Sequence, residues 1–211
     1  MGGQIMTEKE LLTALEEKSR DADTVVFDIG NTLMRFDPDL ICDRLIGDAH
    51  RERLRHALFA AGHTWTWSCF DEGLYPNEEI ALNVVREEGL ADDCAREVLY
   101  VLDHFHELKN ALPLSKGIPG LKAAGKRILA LTNYAWPALE YCWQTYDFFA
   151  LFDGRIVSSQ EKLVKPDPRI FRLLSDRFSL IPEKTLFVDD NAGNTAAAAK
   201  LGIRVWQGDF L

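Results

Sequence analysis

No run of eighteen apolar residues occurs in the 211-residue chain, which excludes a membrane-spanning helix of ordinary length. Cysteine is scarce: Cys42, Cys69, Cys94 and Cys142 stand far apart and form no CxxC pair. That spacing argues against a zinc site or a disulfide framework and for reduced thiols in a cytosolic (cytoplasmic) protein. Positive charge is in deficit, with 24 Lys and Arg against 33 Asp and Glu for a net charge of −9. Such a surface is a poor partner for nucleic-acid backbones. The leading MGGQIMTEKE lacks the apolar stretch of a secretory signal, and Met6 stands where a myristoylation signal at Gly2 wants Ser or Thr. No membrane and no nucleic acid are therefore expected as partners. Internal repeats and low-complexity segments are absent too, and nothing sets an oligomeric state. What remains is 47% hydrophobic and 27% charged, a globular composition long enough for one α/β domain with an insertion.

Thr7-x-x-Glu10 reads as a capping box for a first helix that carries Leu11, Ala14 and Leu15 on one face and ends before Asp21. Five short strands are expected at 24–28, 127–131, 154–157, 185–188 and 203–206. Helical patterns at 118–124, 137–146, 168–177 and 192–201 lie among them, the last closed by Gly202. Strands alternating with helices of about ten residues predict a doubly wound parallel α/β sheet. The segment 34–111 breaks the alternation, with helical patterns at 40–45, 49–60, 78–88 and 95–109 and no strand. It reads as an all-helical cap inserted after the first strand, leaving 1–33 and 112–211 as the core.

Ligands of open α/β sheets bind at the carboxyl ends of the strands. There the sequence places Asp28, Thr132, Lys165 and the pair Asp189-Asp190. Taken singly, each has an ordinary explanation as an N-cap, a turn or a solvated loop residue. Adjacent carboxylates, however, repel and want a cation. Carboxylates with a main-chain carbonyl suit Mg²⁺, which bridges readily to phosphate. Lys165, Thr132 and the amides after Asn133 would meet the remaining phosphoryl oxygens, and Asp28 could then attack phosphorus to give an aspartyl-phosphate.

VVFDIGNTL, ALTN, LVKPDPRIF and FVDDNAGNT resemble, in order, the four motifs of the haloacid dehalogenase-like hydrolase superfamily, and the insertion resembles its C1-type cap. The resemblance spans about residues 24–207. It implies a Rossmann-like core and a Mg²⁺-dependent phosphatase of small phosphorylated metabolites. Asp28 would be the nucleophile, with Thr132, Asn133 and Lys165 on the phosphate. The metal would take Asp28, the Gly30 carbonyl and Asp190, with Asp189 as a ligand or an acceptor just outside the ligand set. Thr32 and Asn194 would give support.

The first motif is usually DxDxT, and Gly30 stands where a second acid would protonate the leaving group and later activate water. That contribution is typically worth about 10²–10⁴-fold. The chain also resembles a DxGN-type subgroup of sugar-phosphate phosphatases. An activated ester, a cap-supplied acid or water would have to make up the loss. Two other readings stand beside the phosphatase. A 2-haloacid dehalogenase shares the nucleophile but resembles an SSN motif in place of the acids. A catalytically impaired phosphate-ester-binding or regulatory protein would account for Gly30. For substrate recognition, Trp65, Trp67, Phe70, Tyr75 and Trp136 are candidates to line an entrance, with Arg35, His63 and Asp71 for polar groups. Aromatic residues in a helical segment are nonetheless usually core. His104 and His106, two apart on a helix, diverge and read as surface.

Overall fold

A computed structural model describes residues 6–60 and 62–211; the Gly2 reading falls in segment 1–5, outside the described residues. The first helix, α1 (Glu8–Ser19), opens with the expected capping box: Thr7 Oγ1 accepts from the Glu10 amide and the Glu10 carboxylate accepts from the Thr7 amide. After it come β1 (Thr24–Phe27), β2 (Arg127–Thr132), β3 (Gly154–Val157), β4 (Thr185–Asp189) and β5 (Arg204–Gln207). All neighbours pair in parallel, in the order β3-β2-β1-β4-β5. Every β1 residue is buried, as a central parallel strand requires. Side chains alternate across the sheet, so Val25 and Phe27 join one core and Val26 the other.

Strand ends differ from expectation by one residue, and the differences matter here. β1 stops at Phe27, so Asp28 sits just beyond it, while β2 and β4 run on to Thr132 and Asp189. β5 is displaced by one because its ladder with β4 runs from Arg204 to Gln207. The connecting helices are α7 (Ile118–Ala123), α8 (Trp136–Thr145), α9 (Ser158–Glu161), α10 (Pro168–Phe178) and α11 (Ala192–Ala199). Among the described residues no helix is long and apolar enough to cross a membrane.

Between β1 and β2 the chain is helical: α2 (Pro38–Leu45), α3 (Arg51–Phe59), α4 (Trp67–Glu72), α5 (Asn77–Glu87) and α6 (Ala95–His104). The pattern at 95–109 predicts one helix; α6 instead gives way to a 3₁₀ turn at Phe105–Leu108. Residues 67–72 carry no side-chain cap and span under two turns, too short for periodicity to reveal α4. The insertion leaves and rejoins the core side by side. Met34 bridges Ala111, the Arg35 amide donates to Asn110 O at 2.8 Å, and the Leu112 amide donates to Leu33 O at 2.8 Å.

Candidate active site

The chain winds outward from β1 to β2 and β3, then returns to the other side of β1 for β4. The strand order therefore reverses between β1 and β4, where doubly wound sheets bind ligands. Asp28 follows β1 and its amide donates to Val188 O at 2.9 Å, fixing it against β4. Asp189 closes β4 and is fully buried. Lys165 bridges the two acids, with Nζ 2.8 Å from Asp28 Oδ1 and 2.7 Å from Asp189 Oδ2.

Each partner of that bridge is held by others. Asp189 Oδ1 accepts from the Asn191 amide at 2.8 Å, and Asn194 Nδ2 donates to both Asp189 oxygens at 3.1 and 3.0 Å. Asn194 reaches it from the first turn of α11, where Asn191 is the N-cap. The Lys165 main chain is clamped in both directions by one side chain: Asn133 Oδ1 accepts from its amide at 2.8 Å and Asn133 Nδ2 donates to its carbonyl at 2.9 Å. The Asn133 side chain is thereby committed to holding Lys165, which leaves its main-chain N–H and one Nδ2 hydrogen for a phosphate. The amides after it are also largely spent, Tyr134 N–H on Ser158 Oγ at 2.9 Å and Trp136 N–H on Ser159 Oγ at 2.8 Å. Two of the amides expected to meet phosphate are thus taken by serines of α9.

Burial works against the charge on Lys165, but Asp28 and Asp189 outweigh it and hold its pKa above the usual lysine value. Burial pushes the Asp28 carboxyl up to about 7 although Lys165 pulls it down. Burial, then Asp189, raises the half-buried Asp190 as well, and no side-chain hydrogen bond to the Asp190 carboxylate is found among the described residues. One carboxylate oxygen from each of Asp28, Asp189 and Asp190 lies within 4.8 Å of the others. Three acids and one lysine leave surplus negative charge, and oxygen donors at this spacing fit a hard divalent cation. At the same edge two buried hydroxyls, Thr132 Oγ1 and Thr32 Oγ1, find no hydrogen-bond partner among the described residues. Buried hydroxyls are normally paired, so Thr132 is left with bonding capacity for a ligand.

Above this edge the insertion and the core form a half-open chamber of about 90 Å³ lined by residues including Gly30, Trp67, Asp71, Phe105, Lys109 and Tyr134. A second cavity of about 310 Å³, lined by residues including Phe70, Tyr75, His106, Trp136 and Lys162, lies along the same junction. Of the aromatic candidates, Trp67 thus reaches the chamber, and Phe70, Tyr75 and Trp136 the cleft; Trp65 packs on Tyr75. Asp71 joins the chamber. Arg35 is paired with Asp37, and His63 with His56 and Glu88 within the insertion, so neither is brought to the site. Two features have no counterpart in the sequence reading. Ser158 and Ser159 brace the loop after β2, and Lys109 is buried in the chamber at 4% exposure. A lysine at the end of a helical pattern would ordinarily be solvated; here the rings of Phe36, Phe105 and Tyr134 surround it.

A parallel sheet with carboxylates and a buried lysine at its switch point defines a doubly wound α/β protein built around an acidic ligand site. The chain belongs to the haloacid dehalogenase-like hydrolases, whose family pattern matches residues 22–202. It is similar to the GMP/IMP nucleotidase YrfG of Escherichia coli, 26% identical over 88% of this chain and 82% of the relative. It is also similar to a phosphorylated carbohydrates phosphatase of Thermotoga maritima, 27% identical over 86% of this chain and 82% of the relative. The (S)-2-haloacid dehalogenase 1 of a Pseudomonas strain is 33% identical over 48% of this chain and 45% of the relative. The chain spans under half of that dehalogenase and 14% of a mouse acyl-CoA dehydrogenase family member 10. Among solved structures, a family enzyme of Bacteroides thetaiotaomicron in complex with magnesium and inorganic phosphate shares the fold. Its TM-score is 0.63 at 17% identity, over 90% of this chain and 95% of that one.

Proposed function

We propose that the protein is a Mg²⁺-dependent phosphatase of small phosphate monoesters, sugar or similar metabolite phosphates, acting through an aspartyl-phosphate on Asp28. The observation that carries this reading is Asp190. Among the described residues its carboxylate has no side-chain partner, yet one of its oxygens lies within 4.8 Å of oxygens of two other acids, which is unfavourable without a cation. Asp28, Asp190 and the Gly30 carbonyl would hold the metal, and the bound ion would supply charge neutralisation for the phosphoryl group. The chain's own residues do the rest. Asp28, fixed by its amide and by Lys165, attacks phosphorus. Lys165 offsets the charge between nucleophile and phosphate, and the Thr132 hydroxyl and the Asn133 N–H bind phosphoryl oxygens. Asp189 is saturated by Lys165, Asn191 and Asn194 and serves to position that lysine. The insertion acts as a cap that keeps water from the phosphoryl site. The nucleotidase and carbohydrate phosphatase named above, similar over most of the chain, support phosphate esters as substrates, and the four free cysteines support a reducing cytoplasmic setting.

Dehalogenation would use the same nucleophile without a metal and leaves Asp190 unexplained. The test is phosphate release from a panel of sugar phosphates, nucleotides and an aryl phosphate, with Mg²⁺ or excess chelator. Chelator-sensitive release that Asp28→Asn abolishes is expected. Halide release from a haloacid in the presence of chelator would instead establish the dehalogenase.

A further inference from the structure

A Cβ built on Gly30 would meet no atom within 4 Å, and the space it would enter belongs to the chamber of about 90 Å³. Lys109 lines the same chamber, and its Nζ finds no hydrogen-bond partner among the described residues. The ammonium lies 4.1 Å from the Phe36 ring centroid, and 5.4 and 5.6 Å from those of Phe105 and Tyr134. Aromatic faces return part of the cost of burying a cation, but none of them accepts its three N–H bonds. The position is not loose. Tyr146 Oη donates to the Lys109 carbonyl at 2.6 Å, tying this end of the insertion to α8. A buried ammonium with idle donors on an anchored stretch of main chain therefore lines the same chamber as the volume left by the missing side chain at position 30.

We propose that Lys109 is a catalytic residue: it protonates the leaving oxygen of the ester and then takes a proton from the attacking water. The inference rests on the phosphatase reading above. In the first step an Asp28 oxygen bonds to phosphorus, the bond from phosphorus to the ester oxygen breaks with its electron pair on that oxygen, and the Lys109 ammonium gives the oxygen a proton. An alcohol and a neutral amine result. In the second step water attacks phosphorus, the bond to Asp28 breaks, and the amine takes the water's proton, restoring the carboxylate and the ammonium. The charged and titratable groups around the amine are Asp71 from α4, Asp28 beyond β1 and Cys142 from α8. Burial outweighs them and lowers the Lys109 pKa to about 7, a value at which one group serves as both acid and base near neutral pH.

Lys109→Met and Lys109→Arg test this with two esters, an alkyl phosphate whose alcohol needs the proton and an aryl phosphate whose phenolate does not. Both variants should lose about 10²–10⁴-fold in kcat/KM, which reports transfer to Asp28 alone, on the alkyl ester and much less on the aryl ester, while hydrolysis of the shared aspartyl-phosphate slows equally for both. Both should also lose the alkaline limb of the alkyl-ester pH profile, because the acid is spent once the amine is neutral. Equal losses in kcat/KM on both esters, or an arginine that restores the alkyl value, would show a cation that only binds or packs, and would overturn the proposal. A metal-free readout is NMR of the protein carrying ¹³C-labelled lysine. One lysine titrating near neutrality and missing from Lys109→Met is expected; titration of every lysine near the ordinary value of about 10.4 would refute it. A wild type inert on every ester with Mg²⁺ would instead bring down the phosphatase reading and this one with it.

Discussion

An ammonium buried without a partner lowers stability at every pH where it is charged. For Lys109 the sign follows from its pKa of about 7 in the fold and about 10.4 in an unfolded chain. Below about 7 both states carry the proton and the full cost is present. Between the two values folding releases a proton, so the cost shrinks as pH rises and is gone above the unfolded value. Lys109→Met should therefore be more stable than wild type by on the order of a few kcal/mol below about pH 7. The gap should close toward pH 10, as measured by denaturant titrations across that range. A residue that weakens its fold while lining a site is the expected mark of a trade between stability and activity.

At the scale of elements, the contact between α4 and α9 decides how the insertion sits on the core. Gly73, just past α4, has φ +67° and lies against α9: an added Cβ would come within 2.7 Å of Ser159 Cβ and 2.9 Å of its Cα and carbonyl oxygen. Ser158 Oγ donates to Asp71 O at 2.5 Å, and the Lys162 ammonium reaches Gly73 O. Gly73→Ala should cost about 1–3 kcal/mol through overpacking and a strained backbone. Faster proteolysis within 62–76 than in wild type, with the core intact, would report the loosened contact. How much of this was legible in the sequence divides along the same junction. The strands, most helices and the four polar strand ends could be read because each is a local pattern of apolar runs, caps and turns. The roles within the site could not. The Asn133 side chain is engaged by the Lys165 main chain, and Lys109 is buried, only because segments distant in the chain come together.

At the scale of the whole molecule, a fold that gathers three acids around one lysine should gain stability from a divalent cation. Saturating Mg²⁺ at about a hundred times its dissociation constant would add roughly 2.7 kcal/mol. A thermal melt should shift upward in wild type and much less in Asp190→Asn, whereas equal shifts would place the ion elsewhere. The acids sit where β1 and β4 run side by side at the centre of the sheet, and that location sets the timescale on which the site can be lost. The Asp28 amide, bonded to Val188, belongs to the part of a fold whose hydrogens exchange with solvent only when the entire structure opens. On the proposed reading as a cap, the insertion, joined to the core by two adjacent segments, would open many times within that lifetime. Asp28 thus stays in place as long as the fold does, so heat inactivation and unfolding should follow a single curve.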